Sequence, residues 1–141
     1  MPPAHDPAAG PFAFPVRVYY EDTDAAGVVY YASYLRFLER GRTEWLRALG
    51  FEQQRLAQDA GVVFVVRSLN IEYLKPARLD ERLAVLTAPA AAGRAQITLK
   101  QRIERDGEIL VEATVRVACL DAVKMKPAAL PAPLKNKMEA R

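Results

Sequence analysis

Residues 20–31 read Tyr20-Glu21-Asp22-Thr23-Asp24-Ala25-Ala26-Gly27-Val28-Val29-Tyr30-Tyr31, two carboxylates and a glycine turn set between a strand-like run and a long amphipathic stretch. Upstream, Val16, Val18 and Tyr20 alternate with Arg17, Tyr19 and Glu21, the two-residue period of a half-buried strand. Downstream, rotation by about 100° per residue from Tyr34 puts Tyr34, Leu38, Gly41, Trp45 and Leu49 on one stripe and Arg36, Arg40, Thr43 and Arg47 opposite. This predicts a helix over 34–49 with one face in the core, closed by Gly50 as its C′ residue. Arg40 with Glu44 and Glu39 with Arg42 stand at pairing distance on that helix, each pair worth about 0.2–0.5 kcal/mol. Gly41 lies inside the apolar stripe, where glycine costs about 1 kcal/mol relative to alanine, so close approach of sheet backbone is expected there. An acid at such a strand-to-helix junction can face a substrate while the free N–H groups of the helix start bind a developing negative charge.

Strand patterns fill the rest. Glu52 to Ala60 reads as a short second helix closed by Gly61. Val62 to Val66 is a continuous apolar run leading into Leu69, Ile71 and Tyr73, and Lys75-Pro76 ends it. A third strand is expected over Arg82 to Thr87, with a bend in the small residues from Pro89 to Gly93. Two further alternating runs, one carrying Ile97, Leu99 and Ile103 and one carrying Val111, Val115 and Val117, form a hairpin around Asp106-Gly107. A two-residue loop would set Ile103 opposite Leu110 and bury the wrong side. A three-residue loop, Asp106 to Glu108, pairs Ile103 with Val111, Leu99 with Val115 and Ile97 with Val117, and is preferred on that ground. Strand, long helix, short helix and four strands fit an α+β architecture, an antiparallel sheet of about five strands curled around one long helix.

With 141 residues, 51% of them apolar, the chain has enough for one core and no room for a second domain. The expected organisation is a flexible N-terminal tail over 1–14, a single domain over 15–124 and a basic, proline-containing C-terminal tail over 125–141. The tail over 1–14 lacks the charged start and apolar run of a secretory signal, and no segment approaches the roughly 20 apolar residues of a membrane span. A soluble, cytoplasmic protein is expected, and the single Cys119 suits a reducing compartment. A net charge of +3 permits an anionic small-molecule partner without calling for nucleic acid, for which no aromatic-and-basic motif is present. The only histidine, His5, stands in the N-terminal tail, which leaves Ser33, Ser68 and Cys119 without an imidazole partner. There is no G-x-S-x-G motif, and one Cys and one His at opposite ends do not make a zinc site.

The run Asp22-Thr23-Asp24-Ala25-Ala26-Gly27-Val28-Val29-Tyr30, the following Tyr34-Leu35, and Glu72-Tyr73-Leu74-Lys75-Pro76-Ala77-Arg78-Leu79-Asp80 resemble the hot-dog thioesterases. From about Val16 to Pro131 the chain resembles the Tol-Pal-associated acyl-CoA thioesterase branch of the 4-hydroxybenzoyl-CoA thioesterase family. Lys124-Met125-Lys126-Pro127 with Leu130-Pro131 is a branch-like ending. The resemblance implies a hot-dog fold, homodimers or homotetramers with active sites at subunit junctions, and hydrolysis of an acyl-CoA to free acid and CoA without a cofactor or metal.

Carried over by motif position, Asp24 is the catalytic carboxylate, acting either as nucleophile or as general base toward water. The backbone N–H of Tyr31 polarises the thioester carbonyl, and Gly27 shapes the turn between them. Asp22 takes a structural role. Both acids also suit turn formation before a helix. Arg94 matches a family region that meets the CoA nucleotide, with Lys75 and Arg78 as further basic candidates, and Phe64 with Tyr31 would line an acyl slot. The chain departs from its branch at Tyr31, where members usually carry histidine; a phenol of pKa near 10 cannot shuttle protons at neutral pH as imidazole does. A second reading of the same fold is a low-turnover module that binds acyl-CoA or acyl carrier protein, or scaffolds envelope and phospholipid enzymes.

Overall fold

Helix α1 (Ser33–Ala48) lies against the inner face of a five-stranded antiparallel sheet in the computed structural model, which describes residues 10–139. The sheet is built from β1 (Phe12–Arg17), β2 (Val62–Tyr73), β3 (Arg82–Ala92), β4 (Gln96–Arg105) and β5 (Glu108–Asp121), in the spatial order β1-β3-β4-β5-β2. Between α1 and β2 come a single turn, α2 (Gln53–Arg55), and a π-helical turn, Leu56–Ala60. This is the curled sheet around one long helix that the apolar patterns predict. Every residue of the apolar stripe, Tyr34, Leu38, Gly41, Trp45 and Leu49, is buried. Gly50 sits at φ +100° and its N–H reaches the Arg47 C=O at 2.9 Å, while the Phe51 N–H reaches Leu46 at 3.0 Å. That is a Schellman ending, with Gly50 as its C′ residue.

The helix meets the sheet closely at Gly41, through a side chain and not the expected backbone. A Cβ built there would stand 2.5 Å from Val85 Cγ1 on β3. Beside it the Gln101 amide, 4% exposed, donates to the Leu38 C=O at 3.0 Å and to Thr87 Oγ1 at 2.9 Å, while its oxygen accepts from Arg42 at 3.1 Å. Arg42 is thereby drawn to the sheet, and the expected Glu39–Arg42 and Arg40–Glu44 pairs are absent among the described residues; Glu44 pairs with Arg47 instead.

The β4–β5 register is the one expected, Ile103 facing Val111, Leu99 facing Val115 and Ile97 facing Val117, but the loop is not. Arg105 faces Glu108 around a two-residue turn, with Asp106 at φ +50° and Gly107 at φ +82°, as a type I′ hairpin requires. A bulge at Leu110 then restores the apolar phase. The Leu110 side chain is buried and its C=O accepts from both Leu74 (2.8 Å) and Lys75 (3.1 Å). Strand β3 also runs further than expected, through Pro89 with a bulge before Ala91, so the bend is confined to residues 93–95. Tyr20 leaves the strand phase: Tyr20–Asp22 is a 3-10 turn and Tyr20 is 82% exposed.

At the N-terminus, Phe12 to Phe14 pair with Thr87 to Val85, so the expected tail gives up its last three residues to β1; residues 1–9, His5 included, lie outside the described residues. The basic C-terminal segment is held to the domain. Pro127 bridges Leu120, the Leu130 N–H bonds Arg94 C=O at 2.8 Å, and α3 (Ala132–Glu139) buries Leu134 and Met138. Among the described residues, no helix is long and apolar enough to cross a membrane.

Gly41→Ala is expected to lower unfolding free energy by about 1–3 kcal/mol, and Val85→Ala in the same chain to make that loss less than additive, both measured by urea unfolding. Ending the chain at Pro131 should cost about 3 kcal/mol or more, the burial of Leu134 and Met138, in the same measurement.

Candidate active site

After Val18 the chain makes the 3-10 turn and enters a small hairpin that carries the acidic motif into α1. The Tyr30 N–H donates to the Asp22 C=O at 2.8 Å, Thr23 bridges Val29, and the Asp24 N–H donates to Val28 at 2.9 Å. Gly27, at φ +81°, closes the tip, its N–H on the Asp24 C=O at 3.0 Å. Only a residue without a Cβ takes that φ at no cost. The two carboxylates have opposite surroundings. Asp22 is buried; its Oδ2 accepts the Tyr19 N–H at 2.8 Å and its Oδ1 faces Arg36 at 3.4 Å, a guanidinium that also donates to Ser33 Oγ at 3.0 Å. This ties the strand end to the first turn of α1, the structural role expected of Asp22. Asp24 is exposed. Its Oδ1 accepts the Ala26 N–H at 2.8 Å in an Asx turn, and its Oδ2 has no partner among the described residues.

The second arm of the hairpin runs into the helix mouth. The Ser33 N–H bonds Tyr30 C=O and the Leu35 N–H bonds Ala32 C=O, whereas the Tyr31 N–H has no acceptor among the described residues. Helix α1 has no side-chain cap, so this donor stays available, at the positive end of the helix. Beside it opens a cleft of about 240 Å³ lined by Val29, Tyr31, Tyr34, Tyr73, Leu74, Lys75 and Pro76. Tyr73 Oη donates to the Tyr31 C=O at 3.2 Å and its ring meets Tyr31 edge-on at 6.3 Å. Tyr34 Oη accepts the Ala77 N–H at 3.0 Å, and burial pushes this phenol above the ordinary tyrosine range. Ala77 in turn accepts the Val29 N–H at 2.9 Å.

Of the residues expected at the site, Tyr31 and Lys75 line this cleft together, with the Lys75 ammonium bound to Glu108 at 2.6 Å. Asp24 stands on the hairpin tip outside the lining, and within one chain no contact joins its carboxylate to the Tyr31 amide. Arg78 is exposed, its backbone facing Val28 across an isolated bridge. Arg94 is exposed in the β3–β4 turn, without an ion pair among the described residues. Phe64 lines a separate hollow of about 140 Å³ under the far half of α1, with Trp45, Leu46, Ile97 and Leu99. Sequence reasoning missed Tyr34, Tyr73 and Ala77 as parts of the site. Tyr34 and Tyr73 sit in the apolar phase of helix and strand, where core packing is the ordinary reading.

The Thioesterase-like superfamily model matches residues 18–138. The acyl-CoA thioesterase YbgC of Haemophilus influenzae is 52% identical over 124 residues, 88% of this chain and 91% of that protein. The acyl-CoA thioester hydrolase YbgC of Escherichia coli O6:H1 is 51% identical over 121 residues, covering 85% and 90%. A crystal structure of a probable thioesterase from Bartonella henselae superposes with a TM-score of 0.82 at 38% identity, over 86% of this chain and 100% of that one. An antiparallel sheet curled around one helix, with this sequence pattern along nearly its whole length, makes the chain a member of the Thioesterase-like superfamily, with the hot-dog fold.

Proposed function

We propose that this protein hydrolyses the thioester bond of an acyl-CoA, releasing free acid and CoA, with Asp24 as the reacting carboxylate and the Tyr31 backbone N–H as the oxyanion donor. The observation that carries the reading is the unpartnered Tyr31 amide at the start of α1, opening on a cleft, with Asp24 held on the hairpin that leads into it. Attack on a thioester carbonyl moves charge onto oxygen, and a preorganised amide donor at that oxygen typically contributes about 100- to 1000-fold in rate. Asp24 supplies the other half of the chemistry. One oxygen is pinned by Ala26 and the other is unpartnered, so the group can attack the carbonyl to give a mixed anhydride or take a proton from water.

Phosphates of the CoA moiety suit the exposed Arg94 guanidinium first, and Arg78 next; Lys75 would have to leave Glu108 to join them. An exposed Asp24 and an open cleft call for cover. A homodimer or homotetramer that seats a second copy over the hairpin provides it, and a cytoplasmic place with envelope or phospholipid enzymes as partners follows from the likeness to the Tol-Pal-associated branch.

Asp24→Asn keeps an oxygen for the Ala26 N–H and is expected to lower kcat by at least about 100-fold with the melting temperature unchanged, followed as free-thiol release from a panel of short, long and aromatic acyl-CoAs. Ordinary turnover by this variant would remove Asp24 from the mechanism. Binding of acyl-CoA by the wild type with no thiol release would favour the binding module instead.

A further inference from the structure

The connection between β2 and β3, residues 74–81, touches both halves of the proposed site. Ala77, fully buried, gives its C=O to the Val29 N–H at 2.9 Å and its N–H to the Tyr34 hydroxyl at 3.0 Å, and Arg78 bridges Val28. One short segment therefore meets the hairpin arm that runs into Tyr31 and the first turn of α1. Backbone bonds hold its two ends, Leu74 and Lys75 on the Leu110 C=O and Asp80 and Glu81 on Val18, and Asp80 stands at φ +68°, an uncommon conformation for a residue with a Cβ.

Arg105, at the end of β4, grips this segment from behind. Its Nη1 donates to Glu81 Oε1 at 2.9 Å and Oε2 at 3.0 Å and reaches the Pro76 C=O at 3.3 Å. Its Nη2 donates to Glu108 at 2.6 Å, whose other oxygen takes the Lys75 ammonium at 2.6 Å. Glu81 Oε1 also accepts the Arg78 N–H at 2.6 Å. The guanidinium thus holds positions 75, 76 and 78, on both sides of Ala77. Arg105 is 25% exposed, Glu81 26% and Glu108 39%, and ion pairs that water reaches contribute little to stability. What a planar fork on several acceptors fixes well is position.

We propose that Arg105 is a positioning residue for the thioesterase reaction, holding Ala77 and through it the relative placement of the Asp24 hairpin and the Tyr31 amide. It lines neither the cleft nor the hairpin. The inference rests on the thioesterase reading above.

The test is a double-mutant cycle in kcat, because Arg105→Met and Tyr34→Phe release Ala77 from its two sides. Misplacement of about 1 Å from a remote change can cost about 100-fold, so each single variant is expected to lose about 10-fold in kcat with little change in KM. The double variant should fall no more than about twofold below the worse single, since both free the same peptide. Met138→Ala, in α3 and outside the cleft lining, serves as the control for stability alone: its melting temperature drops while kcat below the transition stays put. If Arg105→Met does not fold, Glu81→Gln takes its place in the cycle. Unchanged kcat in the clamp variant, or two losses that multiply, overturns the inference alone so long as the wild type turns over and Asp24→Asn does not. A wild type without turnover on any acyl-CoA overturns the inference and the thioesterase reading together.

Discussion

The contact of Gly41 with Val85 sets the depth at which α1 is seated in the sheet, and the placement of the helix mouth follows from that seat. With no Cβ at 41, the helix backbone comes down onto a β3 side chain. The Gln101 amide then reaches the Leu38 C=O and Thr87, so a buried polar group is satisfied only at this separation. Dispersion alone would tolerate a range of depths. The combination of a missing methyl and a hydrogen bond of fixed length does not, and it leaves the first turn of α1 at one height above the end of β2. Tyr31, just before that turn, lines the cleft with Tyr73 and Leu74.

From this seat the acidic motif divides its two carboxylates by environment. Asp22 faces inward, where a backbone N–H and a guanidinium meet it, and its bonds spend its charge on joining strand to helix. Asp24, two residues on, lies at the hairpin tip, where a single Asx bond orients it and one oxygen stays open. Two identical side chains separated by one threonine thus acquire a fastening role and a candidate reacting role. The glycine at φ +81° makes the division, since it turns the chain back so that Asp22 pairs with Tyr30 at the base of the hairpin while Asp24 pairs with Val28 at its tip.

The helix stripe, the Gly50 ending and the β4–β5 register were legible because each is written in spacing, and burial of one face enforces it. The turn between β4 and β5 was not. Asp106-Gly107 favours a two-residue loop, the apolar phase demands a shift of one, and the conflict is resolved by a bulge at Leu110 that no periodicity announces. Tyr20 followed the strand alternation on paper, yet the Tyr19 N–H bond to Asp22 turns the chain before it. Among the site residues, Tyr31 and Lys75 fell together because their motifs flank the same helix mouth. Phe64 did not join them: β2 is 12 residues long, and Phe64 stands near the end opposite Tyr73. The clamp through Arg105 was invisible for another reason. Its partners come from positions 75, 76, 81 and 108, brought together only by the sheet.

Tyrosine at position 31 sets the character of the cleft at the helix mouth. The cleft wall is made of phenols, and Tyr34 and Tyr73 are pushed above the ordinary tyrosine range by burial, so they remain protonated donors and acceptors across the physiological range. No imidazole lines the cleft, and the chain's one histidine, His5, lies outside the described residues. In the proposed reaction, proton transfer is assigned to the Asp24 carboxylate and water, and the placement of the Tyr31 amide relative to Asp24 carries the rest. The Tyr31 ring packs against both Tyr30 and Tyr73, and Tyr73 bonds the Tyr31 carbonyl, so the residue that carries the proposed oxyanion donor is held from its side chain and from its backbone.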